Sequence, residues 1–333
     1  MKIINIIDSL EINGGSTMFL EMVAGMQKYW KDDEIHTYVV SKTGQFGRKG
    51  LVNSSFAPSY GVDLEVYDYA NFEKKVAVDL RDAVIFHHVL GYTKNITFHQ
   101  SCKYVVINHR DVNLRRLPSF NASAIVCVSQ YFAQRTRKAK AGKPIVILNG
   151  CEDYCKIKPS VPSDKLVLGR CQRIVASKFL NERIKDKRVV QYVIGPVNFK
   201  NKHLLPRKCK SFGPVFDLDK KIPIIRSFDL YLHATSSVEG CSMSLLEAMS
   251  CAVPIVAKNI GGGVNEIIKP GVNGFLYRNT PELRKIILRL LDDRDYLGQI
   301  KESTYKYFLQ KFHIKNMLDN YRKIFCECKD SSI

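Results

Sequence analysis

Residues 229–276, DLYLHATSSVEGCSMSLLEAMSCAVPIVAKNIGGGVNEIIKPGVNGFL, restrict the possible folds more than any other part of the chain. An apolar run (Leu230, Tyr231, Leu232) leads into a polar loop that carries Glu239 and Gly240. A helical run at 242–249 with Glu247 follows, then a second apolar run at 254–257 and the glycines Gly261, Gly262 and Gly263. Strand, polar loop, helix, strand and glycine-rich turn make a βαβ unit. In an open parallel sheet, ligands sit at the carboxyl ends of the strands, where loops meet helix N-termini. One carboxylate in that loop and another a turn or so into the helix can both face a polar ligand rich in hydroxyls.

The rest of the chain repeats the alternation. Strands read at 3–7 (IINII), 36–41, 63–67, 83–87, 104–108 and 124–129, joined by helical or irregular links, which predicts a doubly wound α/β sheet. After the first strand, Asn13-Gly14-Gly15-Ser16 forms a turn before helical apolar spacing over 17–29. Glycine lets backbone amides come close to a phosphate or sugar, so Gly14 and Gly15 are candidate ligand contacts beside their plainer role as a tight turn. A basic, glycine-rich loop is expected at 42–50 and a basic helix at 131–141. His109 follows the strand at 104–108, where an imidazole can donate to a phosphate or orient a hydroxyl. His87 and His88 fit a structural role better. A strand at 144–148 feeds Asn149-Gly150, and a first domain boundary is placed near residue 150. Beyond it, strands read at 165–170, 189–195, 209–213 and 275–277. Helices follow at 281–291, with Thr280 as N-cap and Pro281 in the first turn, and at 296–309 and 314–325.

The central stretch resembles the family-4 retaining glycosyltransferases of the GT-B fold. That family carries Glu-Gly and, seven residues after the glycine, Glu-Ala-Met, then P-x-V and a G-G-x-x-E turn. Here these read Glu239-Gly240, Glu247-Ala248-Met249, Pro254-Ile255-Val256, and Gly262-Gly263 with Glu266. The family's R-x-x-x-x-K is matched by Arg173 and Lys178, and its I-x-N-G connection by 147–150. The sequence departs from the pattern in three places: Phe179 stands where a glycine usually follows the lysine, Gln172 precedes Arg173 in place of glycine, and the glycine turn is one residue longer.

The resemblance implies two Rossmann-like domains facing a cleft, at 1–150 and 151–311, with a last helix at about 312–333 returning to the first through Met317, Leu318, Tyr321 and Phe325. It implies transfer of a hexose-type sugar, with retention, from a nucleotide diphosphate sugar to a glycan or lipid-linked acceptor, as in surface polysaccharide or glycoconjugate synthesis. In that scheme Glu239 and His109 act at the sugar, and Arg173 and Lys178 hold the diphosphate. Glu247 holds the ribose, while Gly240, Cys241, Ser242, Gly14 and Gly15 complete the donor site. Fixed cations stabilise a departing diphosphate without reorganising, so no metal and no further cofactor is expected.

Composition narrows the alternatives. The 333 residues carry a net charge of +19, and residues 156–226 hold eighteen Lys/Arg against five Asp/Glu. Such a segment points to a polyanionic partner: a diphosphate or an anionic membrane surface. No nucleic-acid module or aromatic-interleaved basic stripe accompanies it. The ten cysteines form no C-x-x-C pair, which fits reduced thiols in a cytoplasmic protein, peripheral on the membrane at most. MKIINIIDSL is expected to be a first strand and not a signal peptide. Two rivals to the transferase are a nucleotide-sugar epimerase and a non-catalytic protein that binds anionic ligands or membrane surfaces on a GT-B scaffold.

Overall fold

A computed structural model describes residues 1–10, 13–41, 56–89, 96–109, 122–136, 143–180, 182 and 184–326. The chain divides into two compact units, Met1–Gly150 with Ile314–Ile333, and Cys151–His313.

The first unit is built on seven strands: β1 (Lys2–Ile7), β2 (Glu34–Ser41), β3 (Glu65–Asp68), β4 (Val84–Val89), β5 (Lys103–Asn108), β6 (Ala124–Cys127) and β7 (Ile145–Val146). They pair in parallel in the order β3-β2-β1-β4-β5-β6-β7. Parallel sheets are covered on both faces, which is why β1 and β4 are mostly apolar and buried almost throughout, with Asn5, His87 and His88 the buried polar residues among them. Helix α1 (Gly14–Tyr29) follows β1, and α2 (Tyr69–Lys75) and α3 (Gln130–Thr136) follow β3 and β6. The last helix, α9 (Ile314–Cys326), buries Met317, Leu318, Tyr321 and Phe325. It lies so close to α1 at Gly25 that a Cβ there would stand 2.7 Å from Ile314. Phe325 meets the ring of Trp30, and both Tyr321 and Phe325 meet Phe86 edge-on.

The second unit has six parallel strands: β8 (Leu166–Cys171), β9 (Val189–Ile194), β10 (Cys209–Gly213), β11 (Leu230–His233), β12 (Ile255–Lys258) and β13 (Gly274–Tyr277), ordered β10-β9-β8-β11-β12-β13. Its helices are α4 (Leu218–Ile225), α5 (Met243–Ser250), α6 (Gly263–Ile267), α7 (Thr280–Asp292) and α8 (Arg294–Lys311). Leu283, Ile287 and Leu290 of α7 pack on Leu168, Leu230, Leu232 and Val256 from the strands. That interlock of apolar side chains is the dominant stabilising term for such a layer.

Each sheet has one place where consecutive connections run in opposite directions. In the first it lies between β1 and β4, and in the second between β8 and β11. Loops leaving two adjacent strand ends diverge there and open a crevice.

Two local expectations need correction. Gly14 and Gly15 are not a loop before the helix but its first turn, because Asn13 accepts from the amides of Gly15 and Ser16 and starts the helix earlier. The cap of α7 is Asn279, which takes the Glu282 amide, and not Thr280. Helix α4, with Pro223 inside it, was not foreseen. The basic loop at 42–50 and the end of the basic helix at 137–141 fall outside the described residues. No helix among the described residues is long and apolar enough to cross a membrane.

Candidate functional site

The crevice of the second sheet gathers the most chemistry. The segment after β8 carries Gln172, Arg173 and Lys178, and the loop after β11 carries Glu239 and Gly240. Small hydroxyl residues stitch the two together. The Ser177 carbonyl accepts from the backbone amides of Ser236 and Ser237, and from the hydroxyls of Thr235, Ser236 and Ser237 at 3.0–3.2 Å. The Leu180 amide donates to the Ala234 carbonyl. The polar run TSS is therefore structural: it ties a lysine-bearing loop to a glutamate-bearing one.

Lys178 Nζ stands 2.6 Å from Glu239 Oε1. The other oxygen of Glu239 faces His233 Nε2 at 3.5 Å, long for a hydrogen bond but close for an electrostatic contact. Glu239 keeps 17% of its side chain exposed. Burial alone would raise its carboxyl pKa, but His233 and then Lys178 outweigh that and bring it down to about 2. The result is a fixed carboxylate beside a half-exposed ammonium at the mouth of a strand switch.

The glycine triplet packs against the glutamate loop. Gly262 has φ +68°, which side chains other than glycine rarely adopt, and a Cβ there would come 2.4 Å from Val238. A Cβ on Gly263 would stand 1.9 Å from the Gly240 carbonyl oxygen. The Gly263 amide donates to the Glu239 carbonyl. These two glycines thus let the turn lie directly on the glutamate loop. Gly240 and Cys241 are buried, and Ser242 caps α5 without a side-chain hydrogen bond to its amides. Glu266 lies in the first turn of α6.

Glu247 occupies α5 and is 2% exposed. Its Oε1 accepts from Lys221 Nζ of α4 at 2.6 Å, a buried ion pair. Arg173 is exposed on the loop after β8, with no ion-pair partner among the described residues. The structure therefore joins Lys178, Glu239, Gly240 and the glycine turn directly, and gives Glu247 a different partner. Beneath them Arg170 is fully buried, its guanidinium 3.4 Å from the Phe179 ring centroid and donating to the carbonyls of Leu180 and Ala234.

The crevice of the first sheet holds the remaining candidates. Gly14 and Gly15 open α1 after β1, and a Cβ on Gly14 would meet nothing within 4 Å. His109 follows β5, and its Nε2 lies 3.1 Å from Nδ1 of His88 at the end of β4, the two rings stacked. Phe19 of α1 meets His88 edge-on, so the helix start and these strand ends share one edge of the sheet. Burial pushes His87 down to about 4, and burial together with the neighbouring histidines holds His88 well below the ordinary histidine range. Both belong to the core. Arg110 and Asp111 fall outside the described residues.

Three residues escaped the sequence reading. His233 faces Glu239, Gln172 meets His233, and Lys221 pairs with Glu247. His233 had a usable signal, since it ends an apolar strand just as His109 does. Among the described residues no group of three or more His, Cys, Asp or Glu could hold a metal ion, and no disulfide links the nine described cysteines.

Residues 172–293 match the family described as glycosyl transferases group 1. The chain is 25% identical over 296 residues to an uncharacterized glycosyltransferase of Methanocaldococcus jannaschii, covering 84% of this chain and 79% of that one. Among solved structures it resembles HepE of Anabaena in complex with UDP-glucose, with TM-score 0.73 and 18% identity, over 98% of this chain and 100% of that one. It also resembles S. aureus TarM in complex with fondaparinux, alpha-GlcNAc-glycerol and UDP, with TM-score 0.70 and 12% identity over 97% and 99% of the two chains. The architecture is the two-sheet, Rossmann-like arrangement of GT-B glycosyltransferases.

Proposed function

We propose that this chain is a retaining glycosyltransferase of family 4. It moves a hexose-type sugar from a nucleotide diphosphate sugar to a glycan or lipid-linked acceptor in surface polysaccharide or glycoconjugate synthesis. The single observation that carries the reading is the Lys178–Glu239 pair at the switch point of the second sheet, inside the segment that matches the glycosyl transferases group 1 model. A lysine beside a low-pKa carboxylate provides one site for a diphosphate and one for sugar hydroxyls, within a single loop pair. UDP is the first nucleotide to try, because the Anabaena and S. aureus neighbours bind it.

In this reading Glu239 and His109 act at the donor sugar, and Lys178 with Arg173 neutralises the charge that grows on the departing diphosphate. The reaction then needs no metal. Glu247 accepts the ribose hydroxyls through the carboxylate that Lys221 now holds. The amides following Gly240, with Cys241 and Ser242, bind the ring and phosphate, and Gly14 and Gly15 approach the diphosphate. Substitution proceeds on one face of the sugar, with the leaving diphosphate assisting removal of the acceptor proton, which retains the anomeric configuration. The enzyme works in the cytoplasm, peripheral on an anionic membrane that the basic 156–226 segment favours.

Calorimetric titration with UDP, GDP and ADP, without divalent metal, tests the reading on wild type, Glu247→Ala and Lys178→Ala. Saturable binding of one nucleotide, lost in both variants, is the expected result. Folded wild type that binds none of the three would refute it. Co-sedimentation with anionic vesicles at low salt tests the membrane part, and absence of binding there would remove it.

A further inference from the structure

The second crevice contains a line of side chains that ends on Glu239, and three of them, Arg170, Gln172 and His233, have no part in the scheme above. Arg170 Nη2 points at Gln172 Oε1 at 3.4 Å. Gln172 Nε2 lies 3.2 Å from His233 Nδ1, and His233 Nε2 faces Glu239 Oε2 at 3.5 Å. Arg170 is fully buried and His233 is 1% exposed, so water does not compete for most of this line.

The donor inventory orders it. A guanidinium can only donate, so the oxygen of the Gln172 amide belongs on the Arg170 side. Its NH2 is thereby turned to His233, whose Nδ1 is left to accept. A neutral ring with an accepting Nδ1 carries its proton on Nε2, the nitrogen that faces Glu239. A donor-only arginine two residues upstream thus decides which way a histidine presents its proton.

We infer that His233 is the positioning residue of Glu239, holding one carboxylate oxygen through an Nε2–H set by Gln172 and Arg170 while Lys178 leaves the other to meet the donor diphosphate. The second half rests on the donor-site reading above. Lys178 ends in one compact charge on a flexible stem and cannot serve carboxylate and diphosphate equally. When it turns away, a mostly buried carboxylate is left short of a partner and swings or takes up a proton. His233, packed at the end of β11, is the group that stays.

Two measurements test this, the first of them independent of the function itself. Long-range proton–nitrogen spectra of the histidine-labelled full chain at neutral pH read the tautomer, with His233 assigned by the signals lost in His233→Leu. The Nε2–H form is expected in wild type and its loss in Gln172→Glu, which offers Nδ1 only an acceptor. An Nδ1–H form or an imidazolium in wild type overturns the inference whether or not the protein is an enzyme.

The second measurement is donor turnover against pH. His233→Leu should lower kcat about tenfold or more, the scale of one hydrogen bond to a charged group, with a smaller change in KM. It should also gain an acid limb near the ordinary carboxylate range, where wild type is flat. His233→Gln, whose amide can donate from a similar place, should recover part of kcat. A kcat for His233→Leu equal to wild type, or a loss with no new acid limb and no rescue by Gln, refutes the positioning role. Wild type with the expected tautomer but no turnover and no nucleotide binding overturns the proposed function, and with it the exchange at Lys178.

Discussion

The two switch points share a topology and differ in chemistry. The first, between β1 and β4, is lined by backbone and by packed rings: Gly14 and Gly15 at the start of α1, with His88 packed between Phe19 and His109. The second, between β8 and β11, is lined by charges held in pairs: Lys178 with Glu239, and Lys221 with Glu247. A crevice that grips a charged ligand needs charges fixed before the ligand arrives, which costs desolvation. A crevice that only presents amides and a ring does not. The same topology therefore carries two different risks to stability, and substitutions should separate them.

The largest effect should come from Lys221→Met, which leaves Glu247 buried without its cation and should cost about 3–5 kcal/mol. Urea unfolding followed by circular dichroism checks it, and Lys221→Met/Glu247→Met should recover most of the loss. The only tryptophan, Trp30, sits in the first unit and reports it alone. Its fluorescence transition should barely move, and a coincident shift would break the contrast between the two crevices.

Gly263→Ala should come next, at about 1–3 kcal/mol, because the added methyl collides with the backbone at Gly240 and neither side is a flexible chain end. It should also weaken nucleotide binding, since the Glu239 loop must shift.

Acid should separate the units by pH window. His87 falls from the ordinary 6.5 to about 4 in the folded chain, so the unfolded chain takes up its proton first. That contribution is intact above pH 6.5 and is lost as the pH drops from there toward 4. Glu239 falls from 4.5 to about 2, so its contribution is intact above 4.5 and lost between there and 2. On acidification at fixed urea the Trp30 transition should weaken first. His87→Gln with His88→Gln should flatten that early loss, which would be unchanged if other groups caused it.

The smallest effect should be that of Gly14→Ala. Nothing crowds a Cβ there, and alanine favours a helix, so stability should stay the same or rise by up to about 1 kcal/mol. Loss of nucleotide binding without loss of stability would identify Gly14 as a point of ligand approach. Unchanged binding would leave it as the first residue of a helix.

Much of this was legible in the sequence, though unevenly. The βαβ order of 229–276 could be read because strand ends, loops and helix starts have local signals, whereas Arg173, Lys178, Glu239 and Glu247 were singled out by resemblance to a family's motifs. Lys221 could not be read, since KKIPII looks like a strand and Pro223 argues against the helix that forms. His233 stands at a strand end as His109 does, but a lone histidine after LYL is more often packed than used. Its use depends on Gln172, 61 residues away, and no local pattern records that.

By itself the sequence determined two parallel α/β layers and the loops that would carry charge, because apolar runs and turn residues act over a few positions. It also marked the glycine turn, since a positive φ at Gly262 excludes nearly every other residue. Only the tertiary structure decided the pairing of charges. Lys178 went to Glu239 and Lys221 to Glu247 because each lies on a neighbouring loop or helix, brought near by sheet order and not by spacing. Ion pairs, and the proton position on a histidine, depend on distances of a few ångströms between remote residues, and those exist only once the layers have packed.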